Sequence, residues 1–147
     1  MQKDKNISGV VREWVQKAEN DITAADNTLK MGDDGPMDTV CFHVQQCAEK
    51  YIKALLVWKG IPFPKTHNLS LLVTLLPPET PVLLSPEEQE LLTDYAVVTR
   101  YPGDAEEPSF SEAAKAVKLA RRVRKDIRAM LPKEALPPSR RKKRKRS

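Results

Sequence analysis

The sequence predicts an all-α protein: an antiparallel bundle of four main helices plus one short helix. Three observations predict it. Apolar residues recur at steps of three and four through four long stretches. No segment sustains a period of two. All twelve prolines fall between those stretches, in helix first turns, or in the tail. Short links between long helices make them antiparallel neighbours.

The first helix is predicted over residues 8–31, with Ser8 as its N-cap. Val11, Trp14, Val15, Ala18, Ile22, Ala25 and Leu29 form its apolar stripe, and Arg12, Glu13, Lys17, Glu19, Asn20 and Asp26 its solvent face. Gly32-Asp33-Asp34-Gly35-Pro36 breaks it, and Pro36 suits the first turn of the next helix. That helix, Thr39 to Gly60, has the widest apolar face: Val40, Val44, Cys47, Ala48, Tyr51, Ile52, Leu55 and Leu56. A face this broad needs covering on more than one side, so the helix is expected at the centre of the bundle, serving the core and a dimer seam. Gly60 is its natural stop.

Ile61-Pro62-Phe63-Pro64-Lys65-Thr66-His67 reads as an extended linker, and Asn68 as the cap of a short helix, Leu69 to Leu76, dense enough in leucine to be buried. Ser85-Pro86-Glu87-Glu88 and Ser109-Phe110-Ser111-Glu112 are two capping boxes. The first opens a helix carrying Leu91, Leu92, Tyr95, Ala96 and Val98, which ends before Pro102. The second opens the last long helix, with its stripe from Ala113 to Leu131, stopped by Pro132. The expected organisation is a helical bundle over residues 1–134 and a disordered Pro-rich, basic tail over 135–147.

The net charge is +5, but Arg140, Arg141, Lys142, Lys143, Arg144, Lys145 and Arg146 contribute +7, so the remainder carries −2. The high pI is therefore no argument that the bundle itself binds nucleic acid. The tail would hold RNA, DNA or an acidic partner without sequence choice. Arg121, Arg122, Arg124, Lys125 and Arg128 add a basic surface to the last helix. Cys41 and Cys47 point about 240° apart around one helix and cannot bridge within it, which reads as a reduced, cytoplasmic protein. No run of about 18 apolar residues suggests a membrane span.

The run Cys41-Phe42-His43-Val44-Gln45-Gln46-Cys47-Ala48-Glu49-Lys50-Tyr51-Ile52-Lys53-Ala54-Leu55-Leu56 resembles the central helix of HEPN domains (higher eukaryotes and prokaryotes nucleotide-binding). Gly60 and Phe63-Pro64-Lys65-Thr66-His67-Asn68-Leu69 resemble the segment that follows it there. Trp14, Ala18, Asp21, Ile22 and Ala25 are similar to the opening helix, and Arg100-Tyr101-Pro102 to the turn after the third long helix. The resemblance spans about residues 8–131. It implies a helical homodimer. It also implies a nucleotide or RNA ligand, or a cognate minimal nucleotidyltransferase as partner in a toxin–antitoxin-like pair. Many members are metal-independent ribonucleases that use an arginine followed four to six residues later by a histidine. This chain lacks that motif. Before His67 those positions hold Phe63, Pro62 and Ile61; before His43 they hold Thr39, Asp38 and Met37.

The candidate phosphate-binding residues are Lys53, His67, Arg100 and Tyr101. His67 sits where the linker enters a helix and can bind phosphate or move a proton; its plainer role is to fix the linker. Arg100 can grip a phosphate and Tyr101 stack on a base, or both can simply close a helix end. Glu49 and Lys53, four apart, read as an ordinary surface pair, with Lys53 able to face the same anion as Arg100. His43 and Cys47 share a face at metal-ligand spacing but supply only two ligands, so packing is the plainer reading. No cofactor or metal is expected. A binding module leads. A diverged ribonuclease built from Lys53, His67, Arg100 and Tyr101, and a dimeric scaffold whose basic tail binds nucleic acid, are the alternatives.

Overall fold

The computed structural model describes residues 5–81, 84–96 and 107–138. These form α1 (Lys5–Leu29), α2 (Met37–Trp58), α3 (Leu69–Leu75), α4 (Pro86–Tyr95) and α5 (Phe110–Arg128), with short 3-10 turns at Gly32–Asp34 and Lys133–Ala135. Four main helices and one short one match the sequence prediction. Among the described residues there is no strand, and no helix is long and apolar enough to cross a membrane.

The bundle is built around α2, which packs against each of the other four helices. Fourteen of its 22 residues are buried, including the unbroken run from Tyr51 to Leu56. The breadth of its apolar face is therefore accounted for inside one chain. At its end the Gly60 amide donates to the Val57 carbonyl (3.0 Å) and the Ile61 amide to the Leu56 carbonyl (2.9 Å), a Schellman closure. Gly60 has φ +73° with open space around it. The left-handed backbone alone therefore makes glycine the suited residue. Gly60→Ala should cost about 1–2 kcal/mol in a denaturant melt, with the fold retained.

Several expectations are corrected. Ser8 is no N-cap: the chain is already helical from Lys5, and Ser8 is buried within the helix. Ile7 extends the apolar stripe past Ser8 and packs on the core, so the helix begins earlier. Pro36 is the N-cap of α2 rather than its first residue. In α3 only Leu69 and Leu72, with Leu76 just beyond, are buried; Leu71 is exposed, because seven residues turn one face to the bundle and the opposite face to solvent. Leu91 of α4 is exposed for the same reason. Val98 lies outside the described residues.

Both capping boxes form as expected: the Ser85 and Ser109 hydroxyls accept from the Glu88 and Glu112 amides, and each glutamate accepts from its serine's amide. The predicted solvent face of α1 is in part an interface. Arg124 donates twice to Glu19 (2.6 and 3.1 Å), Arg121 pairs with Asp26, and Arg12 donates to the Glu134 carbonyl (2.6 Å). Arg122 pairs with Glu88 of α4 at 2.5 Å. The arginines read as a basic surface of α5 are thus largely neutralised, and they bind α5 to its neighbours.

Candidate functional site

A helix whose sides are otherwise apolar carries one polar row. His43, Gln46 and Glu49 follow each other at steps of three on α2, with Lys50 and Lys53 beside them. Steps of three make His43, Gln46 and Glu49 one slanted row that turns about 120° around the helix from end to end, with Lys50 and Lys53 alongside it. The row lies where α1 and the linker 61–67 meet α2.

Glu49 is its centre. Only 3% of it is exposed, and its carboxylate accepts from Lys53 Nζ (2.8 Å), Gln45 Nε2 (2.8 Å) and His67 Nδ1 (2.9 Å). Burial works against its charge, but the bonds from Lys53, Gln45 and His67 and the charge of Lys53 outweigh that. They hold its carboxyl below the ordinary value of 4.5. A carboxylate placed here without these partners would be prohibitively costly. Glu49 and Lys53 are therefore not the surface pair that their spacing suggested. Trp14 and Phe63 roof them over: Lys53 Nζ lies 5.6 Å from the centre of each ring, and the rings meet edge to face at 6.2 Å. Lys53 serves the site from beneath.

His67 is different. Its side chain is 67% exposed although its Nδ1 is tied to a buried carboxylate. The corner that presents it is fixed on every side. Gln45 Nε2 donates to the His67 carbonyl (3.3 Å), the Asn68 side chain caps α3 by accepting from the Leu71 amide, and the Leu69 amide donates to the Thr93 hydroxyl of α4 (3.0 Å). With Nδ1–H given to Glu49, Nε2 is left without a partner among the described residues. The arrangement sets the tautomer and offers one ring nitrogen to solvent.

The other end of the row repeats the construction. His43 Nδ1 lies 2.8 Å from Asp21 Oδ1 and Lys50 Nζ 2.7 Å from Asp21 Oδ2, with Asp21 itself buried. The packing reading of His43 is thus incomplete, since 29% of its side chain stays exposed. Cys47 is wholly buried and takes no part, and burial pushes both thiols up, Cys41 to about 11. Among the described residues no three His, Cys, Asp or Glu side chains cluster to hold a metal.

A third polar set is structural. Tyr51, Glu19, Arg124 and Arg128 meet between α1, α2 and α5, with Arg128 Nη1 3.2 Å from the Tyr51 hydroxyl. Burial, and then the bond to Glu19, push the Tyr51 phenol above its ordinary range. Glu19 is lowered: burial opposes its charge, but Arg124 and Tyr51 prevail.

Of the sequence candidates, Lys53 and His67 converge on one carboxylate. Arg100, Tyr101 and the tail residues from Arg140 to Arg146 lie outside the described residues. Sequence reasoning missed Asp21, Glu49 and Gln45 as hubs. The available signal was a polar row at helical spacing inside an apolar helix, because a buried charge must have partners.

A small α-helical bundle with a pinned, partly exposed polar row along its central helix is the class this geometry defines. The HEPN domain model matches residues 11–130, and the chain belongs to the HEPN domain family. The chain is similar to TT1696 from Thermus thermophilus, with 27% identity over 82% of this chain and 98% of that one and a TM-score of 0.69. It is also similar to ST0689, an archaeal HEPN homologue, with 25% identity over 82% and 96% and a TM-score of 0.61. No curated protein gives a match.

Proposed function

We propose that this chain is a HEPN-type binding domain that holds a nucleotide or an RNA phosphate at the His67 corner. It acts as a cytoplasmic homodimer beside a minimal nucleotidyltransferase, in a toxin–antitoxin-like pair. One observation carries the ligand reading: a buried, charged Glu49 fixes an imidazole that is two-thirds exposed. A histidine needed only to pin the linker would not have to stand out in solvent. Lys65, exposed two residues earlier, adds positive charge to the same corner. The partner and the dimer rest on the family alone.

Calorimetric titration with ATP, GTP and single-stranded RNA tests this. The wild-type chain should bind at least one of them, and His67→Ala should weaken it about tenfold, the size of a lost charge-assisted hydrogen bond. Equal affinity in the variant would remove the His67 corner from the site.

The Glu49–His67 pair also favours a second reading, a diverged ribonuclease. A carboxylate behind Nδ1 is how a general base is commonly oriented. RNA cleavage by the purified chain, lost in both His67→Ala and Glu49→Gln, would establish it over simple binding.

A further inference from the structure

We infer that the His43 end of the polar row is a second subsite, so that the ligand is a strand of at least two phosphate-bearing nucleotides rather than a mononucleotide. This rests on the reading of His67 as a ligand-binding corner and extends it along α2.

The two ends are built alike. In each, a buried carboxylate takes Nδ1 of an imidazole and the ammonium of a lysine: Asp21 with His43 and Lys50, Glu49 with His67 and Lys53. These are the only two histidines of the chain. Both keep exposed surface, and neither Nε2 has a partner among the described residues. Such a nitrogen accepts from a ribose hydroxyl when bare and donates to a phosphate oxygen when protonated. Each carboxylate is matched by its own lysine, so neither end presents a net negative charge that would repel a phosphodiester.

Between the ends stands Gln46, three residues from His43 and three from Glu49. Its amide nitrogen donates to Gln45 Oε1 at 2.6 Å, and Gln45 donates onward to Glu49. This orients Gln46 and ties it, through Gln45 and Glu49, to the His67 end. Six residues apart on α2, His43 and Glu49 are separated by about 9 Å along the helix axis and about 120° around it. A single phosphate therefore does not serve both carboxylate-pinned ends, whereas a strand carrying more than one phosphate can follow the slanted row from one to the other. Phe42, half-buried beside the row with its ring 5.6 Å from that of His43, adds an aromatic face on which a base can stack.

The test is calorimetric titration of the full chain with adenosine 5′-monophosphate and with the 5′-phosphorylated dinucleotide pApA. The variants are His67→Ala and His43→Asn. Asparagine keeps a side-chain donor where Nδ1 lies, so the bond to Asp21 survives and the fold is not at issue; only the group at Nε2 is lost. The expected result is that pApA binds about tenfold or more tightly than the monophosphate. His43→Asn should abolish that advantage while leaving the monophosphate unchanged, and His67→Ala should weaken both. Equal affinities for the two ligands, or an advantage that survives His43→Asn, would overturn the second subsite and leave the His67 reading standing. Binding of neither ligand would overturn the second subsite, and the His67 reading would then be decided by its own titration with ATP, GTP and single-stranded RNA.

Discussion

Glu49→Ala should lower the stability of the folded chain by about 3–5 kcal/mol, the largest loss expected from any polar substitution here. The carboxylate is buried and accepts from three partners that come from two parts of the chain. Removing it strands the Lys53 ammonium beneath Trp14 and Phe63 and leaves the Gln45 amide nitrogen with only its weaker bond to the His67 carbonyl. It also frees the His67 ring. Glu49→Gln keeps an acceptor of nearly the same shape and should cost clearly less. Urea unfolding of the three proteins, followed by far-ultraviolet dichroism, gives the comparison. A loss below about 1 kcal/mol for the alanine variant would mean that the buried network is not formed.

Acid should destabilise the chain steeply, and the sign follows from two carboxyls. Glu19 and Glu49 both have folded values below the ordinary 4.5. Their stabilising contribution is complete above that value, where both states are ionised. It is lost as the pH falls from there through the depressed folded values. In that window the unfolded chain binds more protons than the folded one. A carboxyl held one pH unit lower in the folded chain than in the unfolded one contributes about 1.36 kcal/mol. Glu88 is lowered too, first by the Ser85 amide and then by Arg122, but a carboxylate at the bundle surface, open to solvent screening, adds little. Urea midpoints between pH 7 and pH 3 should therefore hold nearly level to about pH 5 and then drop. Glu19→Gln should be less stable at pH 7 and show a shallower drop. A midpoint unchanged from pH 5 to pH 3 would refute the assignment of both carboxylates as charged partners in the fold.

Much of the fold could be read from the residues because its signals are local. The two capping boxes, the Asn68 cap and the Gly60 stop each depend on neighbours within a few positions, and all four form. Helical period likewise places the apolar stripes. Period does not say how far a helix runs past its first polar residue, which is why Ser8 misled. Nor does it say which polar residues on a stripe's edge meet another helix. Glu19 reads as a solvent residue until Arg124, 105 positions later, comes to lie against it. The site was half legible for the same reason. Lys53 and His67 stood out by residue type and by the turn that presents His67. Asp21 and Glu49, which fix the two imidazoles, resemble any surface acid until their partners from other segments are in place.

The placement of α2 has a consequence for how the chain comes together. Both α1 and α5 pack on α2, and the two ends of the described bundle are also tied to each other, through Arg124 and Glu19, Arg121 and Asp26, and Arg12 and the Glu134 carbonyl. During synthesis α1 emerges with an apolar stripe that α2 alone can only partly cover. Its acidic side then waits for cations that come about a hundred residues later. The helical hairpin of α1 and α2 rests on contacts close in sequence, which cost the least loop-closure entropy to form. The last helix is the latch, because its arginines pair with Glu19 and Asp26 on the acidic side of α1.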